Sequence, residues 1–196
     1  MDEEYYPKEK KQRVITRELF DWVESGIIAV VAVVLIFTFV ARLAGVSGES
    51  MMPTLQDGER LVVTRMGYHP RQGDIVVVAR PSGHGEPIIK RIIATGGQML
   101  RIDFEEGVVY VDGIQLDEPY TATPTNRHYG TDFSVPTVIP QGHIFVLGDN
   151  RNASLDSRAP EIGMVDNRYI MGNVIYRIDI SIFPPRFSIT AVEGRA

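Results

Sequence analysis

Two side chains in the sequence have the chemistry of a nucleophile and of a base that could activate it. Ser50 lies in the segment SGESMMPTL, and Lys90 lies in the apolar segment PIIKRII. A serine hydroxyl is a poor nucleophile at neutral pH until a neighbouring base takes its proton. Histidine is the commonest such base, but the histidines lie in turn-like surroundings or, in the last case, at the start of a strand: His69, His84, His128 and His143. Lysine is therefore the better candidate.

The surroundings of Lys90 decide whether it can act as a base. Because side chains alternate along a strand, Ile88, Lys90 and Ile92 share one face of the predicted strand 87–93. If that face is core, burial lowers the pKa of the lysine from about 10.4 towards the range of about 7–8 that suits a general base. Arg91 cannot take this role, because a guanidinium group keeps its proton in proteins. Alternatively, Lys90 and Arg91 are edge-strand charges that oppose aggregation, and the local sequence fits both interpretations.

A third segment with polar side chains, GDNRNASLDSR at 148–158, follows the apolar stretch 144–147. It carries opposite charges on Asp156 and Arg158. Its acidic residues do not alternate as the ligands of a calcium loop do. The NAS sequence within it is a glycosylation acceptor pattern, but that pattern is common by chance. The segment is either an ordinary polar loop or part of a site.

The elements that must position these residues are mainly strands. Beyond residue 46 the sequence consists of short β-branched and aromatic stretches separated by Gly, Pro, Asp and Asn. Asp112-Gly113 is the strongest hairpin signal, the region 121–140 has the composition of an irregular excursion, and no segment keeps a helical period. The sequence therefore predicts a mainly β, antiparallel domain with strands at 61–64, 74–78, 87–93, 99–102, 107–111, 143–147 and 172–178.

An apolar stretch at 26–41, GIIAVVAVVLIFTFVA, precedes these strands and has Thr38 as its only polar side chain. About 20 apolar residues are enough for a helix to cross the ~30 Å hydrocarbon core of a bilayer. The stretch predicts a cytoplasmic N-terminal tail at 1–24, a transmembrane helix at 25–46 and an extracytoplasmic β-rich domain at 47–196.

Two alternatives to a transmembrane helix fit this stretch less well. A removable signal peptide would have a shorter apolar region and a clear small-residue cleavage site, and a buried core helix would show polar residues at helical spacing, which the stretch lacks.

The flanks of the stretch predict its orientation. Basic residues are concentrated before the stretch, so the N-terminus is expected in the cytoplasm. They are Lys8, Lys10, Lys11, Arg13 and Arg17, against Arg42 after it.

Composition excludes several functional classes. The chain of 196 residues has a formal net charge of −5 and a pI near 5.4, which is the opposite of the basic surface that nucleic-acid binding needs. It contains no cysteine, so disulfides, thiolate metal sites and a cysteine nucleophile are absent. We expect no metal and no cofactor.

In order and separation, the apolar stretch, SMMPTL at 50–55, KRII at 90–93 and the 148–158 segment resemble the motifs of bacterial type I signal peptidases, or leader peptidases. The resemblance covers nearly the whole chain. It implies a serine peptidase in which Ser50 is the nucleophile and Lys90 the general base, acting through an acyl-enzyme. It also implies that Ser154 orients the lysine and that the charged residues Asp149, Asp156 and Arg158 hold the neighbouring loops.

The same resemblance implies a β domain on the outer face of the membrane, which favours a buried Lys90. The implied partners are signal peptides of exported preproteins with Ala-x-Ala-like sites, the lipid bilayer and nearby secretion machinery. One departure is Gly48, where some members have a serine that assists the oxyanion hole. Ala94-Thr95 also replaces a commoner Gly-Pro.

Three rival interpretations remain from the sequence. A self-cleaving repressor of the SOS type shares the Ser/Lys chemistry, but would carry a DNA-binding helix-turn-helix. A membrane-anchored binding module that has lost catalysis has no chemical reason to keep both Ser50 and Lys90. A peptidase dedicated to one precursor is compatible with every motif.

Overall fold

The computed structural model describes residues 8–35, 41–79, 85–130, 132, 133, 135, 137–182 and 185–192. The chain divides into two units, Met1–Val40 and Ala41–Ala196. The first contains helix α1 (Lys8–Leu35). Within the described residues, no helix combines the length and the apolar character that crossing a membrane requires. Residues 36–40, which belong to the predicted transmembrane helix, lie outside the described residues.

The second unit is built from strands, as the sequence predicted. Their bounds are β1 (Arg42–Gly45), β2 (Arg60–Thr64), β3 (Ile75–Val78), β4 (Ile88–Thr95), β5 (Met99–Asp103), β6 (Val108–Val111), β7 (Ile114–Gln115), β8 (Thr137–Val138), β9 (His143–Leu147), β10 (Val165–Asp166), β11 (Ile170–Ile182) and β12 (Pro185–Ala191). Two short 3-10 helices, Arg151–Ala153 and Asn167–Tyr169, interrupt the connections.

The larger sheet has the strand order β1-β2-β11-β3-β4-β9-β10, with β12 paired to β11. Its pairings are antiparallel, and β4 lies between β3 and β9. The register places Lys90 opposite Val76 and Arg91 opposite Leu147. Lys90 and Arg91 therefore lie on an interior strand, so their interpretation as edge-strand charges is wrong.

The smaller sheet has the order β7-β6-β5-β8. Its β6–β7 hairpin turns at Asp112 and Gly113, whose φ angles of 53° and 80° are the positive values that an Asp-Gly turn supplies. The hairpin prediction is confirmed. In the described part of the predicted excursion 121–140, the regular structure is the two-residue strand β8.

Buried apolar side chains form three groups, which pack against the segments that carry Ser50 and Lys90. One group joins the smaller sheet to β4 and β9, and Phe133 meets Phe145 in it at a centroid distance of 4.8 Å. A second group lies around Met51 and Leu55, directly after Ser50. The third lies on β3, β9 and their neighbours. The segments that carry Ser50 and Lys90 are thus anchored in packed core.

The end of the predicted helix 25–46 is a strand instead. Arg42–Gly45 forms β1, which pairs with β2 from Arg42 opposite Val63 to Gly45 opposite Arg60. A short apolar run is compatible with either structure, and here a neighbouring strand supplies the hydrogen bonds. Strands β8, β10 and β12 were also missing from the predicted set, and two of them are only two residues long.

Candidate active site

The structure brings Ser50 and Lys90 into direct contact, although they are 40 residues apart. Lys90 Nζ lies 2.7 Å from Ser50 Oγ and donates a hydrogen bond of 2.9 Å to the carbonyl oxygen of Ile89. The Lys90 residue is only 3% exposed. A buried amine within hydrogen-bond distance of a hydroxyl has the geometry of a general base with its nucleophile.

A compact double turn presents Ser50. The backbone N–H of Met52 bonds to the carbonyl oxygen of Glu49, and that of Leu55 bonds to the carbonyl oxygen of Met51. Met51 and Leu55 are buried, whereas Met52 is exposed, so one methionine of the pair packs in the core and the other meets solvent. The Met52-Pro53 peptide bond is cis.

Gly48 shapes the entrance to this turn. Its φ of +85° is in the region that only glycine adopts without strain, and its N–H donates a 2.8 Å hydrogen bond to Asp57 Oδ1. A serine at position 48 would be strained in this backbone conformation. The backbone conformation therefore explains why a glycine, and not the serine found in some members of the family, occupies position 48.

Asp149 ties the turn of Ser50 to the strand of Lys90. Its carboxylate accepts two hydrogen bonds from the Arg91 guanidinium, of 2.8 Å from Nε and 2.7 Å from Nη2, and a third of 2.6 Å from Thr54 Oγ1. Asp149 and Arg91 are both almost completely buried. A bidentate charged pair of this kind fixes geometry as well as neutralising charge.

The segment 118–125 surrounds the other side of Arg91. The guanidinium carbon of Arg91 lies 3.8 Å from the ring centroid of Tyr120, and Arg91 Nη1 donates 2.9 Å to the carbonyl oxygen of Gly73. Burial raises the pKa of the Tyr120 phenol, and the nearby Glu118 carboxylate adds to this effect. The phenol therefore stays neutral and stacks on a permanently charged group.

A second buried ion pair joins this segment to the 148–158 loop. Arg151 Nη1 donates 2.8 Å to Glu118 Oε2 and 2.6 Å to Thr125 Oγ1. Burial of Arg151 is the largest single effect and opposes its charge, but the hydrogen bonds and charge of Glu118, together with the nearby Tyr120 and Asp149, outweigh burial and raise the pKa of the guanidinium. Asp149 and Arg151 thus clamp the loop between β4 and the segment 118–125.

Asp156 and Arg158 form a third buried pair, with 2.8 Å from Arg158 Nε to Asp156 Oδ1. Asp156 Oδ2 also accepts the N–H of Gly148 at 3.1 Å. This network holds Gly148 close to Ser50. The approach is so close that a Cβ atom on Gly148 would lie 2.5 Å from both the Ser50 carbonyl oxygen and the Ser154 Cβ atom.

Ser154 lies beside these residues, but the bond expected of it is not formed. Its Oγ atom is buried and has no hydrogen-bond partner in the described part of the chain. The resemblance implied that this hydroxyl orients Lys90. In the structure the hydroxyl borders Gly148, next to the Ser50 turn.

The described histidines are bound within their own turns. The Nδ1 atoms of His69 and His143 lie 3.1 and 3.2 Å from carbonyl oxygens two residues away, and His128 Nδ1 accepts the N–H of Gly130. His84 lies outside the described residues. No group of three or more His, Asp or Glu in the described residues could hold a metal ion.

Sequence reasoning missed five residues around the site: Thr54, Arg91, Glu118, Tyr120 and Arg151. The side-chain hydrogen bonds that hold them in the site join residues 26 to 95 positions apart. A local sequence pattern does not reveal such pairings. One usable signal was overlooked, because Lys90 is the only lysine after residue 11.

Comparison with known proteins gives concordant matches. The family model described as "Signal peptidase, peptidase S26" matches residues 19–178. A "Probable signal peptidase I-1" from Synechocystis sp. is 37% identical over 161 residues, which cover 76% of this chain and 77% of that protein. "Signal peptidase IB" from Staphylococcus aureus is 33% identical over 178 residues, covering 82% and 90%.

Among solved structures, a signal peptidase I from Enterococcus faecalis has 28% sequence identity and a TM-score of 0.44, covering 54% of this chain and 97% of that chain. The family match spans the Ser50 turn, strand β4 and the 148–158 segment.

Proposed function

The chain belongs to the signal peptidase family, peptidase S26, and from this premise we propose that Ser50 is its nucleophile and Lys90 its general base. The protein is a serine endopeptidase that removes signal peptides from preproteins, with the Ser/Lys chemistry of its family. The observation that carries the residue assignment is the 2.7 Å contact between Lys90 Nζ and Ser50 Oγ.

The proposed reaction starts with a neutral Lys90. A neutral amine has two N–H groups and one lone pair, so Nζ donates to the Ile89 carbonyl oxygen and accepts the proton of Ser50 Oγ. Burial disfavours the ammonium form of a lysine and so favours this state. Arg91 cannot compete for the role because it stays charged and is paired with Asp149.

Acyl transfer then follows in two balanced steps. Ser50 Oγ attacks the scissile carbonyl carbon as its proton moves to Lys90, and the resulting ammonium group protonates the leaving amine, which departs as the mature protein. A water molecule, deprotonated by Lys90, attacks the ester carbon in the second step. The signal peptide leaves with a free carboxylate, and Ser50 regains its proton.

We assign the oxyanion donor to the backbone N–H of Ser50. Residue 48 contributes little to it, because Gly48 has no hydroxyl and its N–H is bonded to Asp57. Preorganised backbone donors of this kind stabilise the charge that develops in the transition state. For the substrate we propose precursors with small residues at the first and third positions before the cut, in an Ala-x-Ala-like pattern.

We also propose that the apolar stretch 26–41 anchors the enzyme in the membrane, with the N-terminus in the cytoplasm and the β unit on the extracytoplasmic face beside the secretion machinery. Support comes from the sequence of the stretch, from the basic residues before it, and from the exposed apolar side chains of α1 such as Ile27, Ile28 and Val30. Alkaline extraction and protease protection of the full chain in cells test this. Release of the protein by alkali, or a β unit that is shielded from protease added outside the membrane, would contradict it.

The residue assignment is tested with the detergent-solubilised full chain and a precursor that carries an Ala-x-Ala site. Ser50→Ala and Lys90→Met should each lose at least ~10³-fold in kcat. Ser47→Ala is the matched control, since Ser47 is an exposed serine in the same loop, and it should retain full activity. Wild-type rates in Ser50→Ala or Lys90→Met would overturn the assignment.

A further inference from the structure

Thr54 is not part of the Ser/Lys pair, yet its hydroxyl is bound to the group that joins both halves of the site. Thr54 Oγ1 donates a 2.6 Å hydrogen bond to Asp149 Oδ2. The same oxygen accepts Arg91 Nη2 at 2.7 Å. Asp149 therefore has one contact with the turn that carries the nucleophile and another with the strand that carries the base.

The turn transmits this contact to Ser50. Thr54 lies four residues after Ser50, inside the double turn closed by the Leu55 N–H and the Met51 carbonyl oxygen. The carbonyl oxygen of Thr54 is itself held by Arg177 Nη1 at 3.1 Å. A residue fixed by both its side chain and its carbonyl group limits how far the turn can shift.

The strand side of the link is equally rigid. Arg91 directly follows Lys90 on an interior strand, and its guanidinium contacts Asp149, the Gly73 carbonyl oxygen and the Tyr120 ring. A displacement of the Ser50 turn relative to β4 must therefore break or stretch the Thr54–Asp149 bond. The 2.7 Å contact of Ser50 with Lys90 depends on that relative position.

We propose that Thr54 is a positioning residue, whose hydroxyl sets the placement of Ser50 against Lys90 through Asp149. This inference rests on the proposed roles of Ser50 and Lys90. Removal of the hydroxyl leaves the reacting groups in place chemically but loosens their alignment. Because misplacement by about 1 Å can cost ~10²-fold in rate, the effect belongs on kcat.

The test compares Thr54→Val, which keeps shape and removes the hydroxyl, with Thr54→Ser, which keeps the hydroxyl. Thr54→Val should lower kcat about 10- to 100-fold, with KM changed less than about 3-fold. The midpoint of its pH–rate profile should stay at the wild-type value, because the base is unchanged. Thr54→Ser should restore most of the rate.

Two controls separate positioning from stability and from failure of the site assignment. Thr137→Val removes a hydroxyl on β8 that donates a 3.0 Å hydrogen bond to the Val135 carbonyl oxygen, and it should leave kcat unchanged. Rates are expressed per folded molecule from circular dichroism, and Thr54→Ala replaces Thr54→Val if the latter does not fold. Ser50→Ala is run in parallel, and its inactivity must hold for the proposed function to stand.

The inference is overturned if Thr54→Val keeps the wild-type kcat per folded molecule, or if Thr54→Ser loses as much as Thr54→Val. An active Ser50→Ala variant would instead overturn the proposed function. The two failures are thus distinguishable.

Discussion

Replacement of Asp149 by asparagine is the perturbation whose effect the structure defines best. The substitution keeps the size of the side chain but removes the negative charge that faces Arg91, while both groups are at most 1% exposed. The amide has only one oxygen, so whichever way it is turned its NH2 group faces an N–H donor of Arg91. The variant therefore carries a buried guanidinium without its counter-charge.

The magnitude follows from the pair itself. Two unit charges about 4 Å apart interact by about 4 kcal/mol at an effective dielectric constant of about 20, and removal of one partner of a buried pair typically costs about 3–5 kcal/mol. The Gly73 carbonyl oxygen and the Tyr120 ring still contact Arg91, which favours the lower end, about 3 kcal/mol. The melting temperature should fall by about 6–12 °C.

Urea unfolding followed by circular dichroism measures this loss as a lower midpoint with an unchanged slope. The matched control is Asp166→Asn, because Asp166 pairs with an Arg168 that is 85% exposed, and pairs on the surface contribute little. Its midpoint should stay close to the wild-type value. If Asp149→Asn unfolds at the same urea concentration as Asp166→Asn, the central role given to the buried carboxylate is wrong.

Three further outcomes follow from the same contacts. Gly148→Ala should destabilise the fold by about 1–3 kcal/mol and reduce activity, because its Cβ atom would overlap the Ser50 carbonyl oxygen. Gly45→Ala has open space around it and should have neither effect. Equal effects of the two substitutions would contradict the packing around Gly148. Hydrogen bonds from Arg168 lower the pKa of Asp166 to about 2, and the small stability that this surface pair contributes is present above the ordinary pKa of an aspartate and lost as pH falls towards 2. The pKa of Asp166, followed by NMR, should rise in Arg168→Gln, and an unchanged pKa would refute this. Burial raises the pKa of the Tyr68 phenol above its ordinary 10.0, so stability should fall more steeply above pH 10 in the wild type than in Tyr68→Phe.

Local sequence patterns were sufficient for most of the β unit. Alternation and β-branched composition located strands such as β4 and β9, and Asp112-Gly113 located a hairpin, because these signals act between neighbours in the chain. Strand β1 was assigned to a helix, since its four residues become a strand only through pairing with β2. The two-residue strands β8 and β10 likewise depend on partners distant in sequence.

The site was predictable by residue type but not by its connections. Ser50 and Lys90 stood out because a serine nucleophile needs a base, and Lys90 lies in an apolar strand whereas the histidines lie in turn-like surroundings or at the start of a strand. The hydrogen bond of Thr54 to Asp149 spans 95 residues, and its existence depends on how β4 and the 148–158 loop pack. The buried state of Arg91 is equally non-local, because it requires the carboxylate of Asp149 and the ring of Tyr120.

The most direct test of the central claim is whether Ser50 and Lys90 act as one unit. We would measure kcat for precursor cleavage by Ser50→Ala, Lys90→Met and the double variant. Because groups that act together are strongly non-additive, the double variant should be no more than about 10-fold slower than either single variant. Losses that multiply in the double variant, or substantial activity in either single variant, would contradict the account.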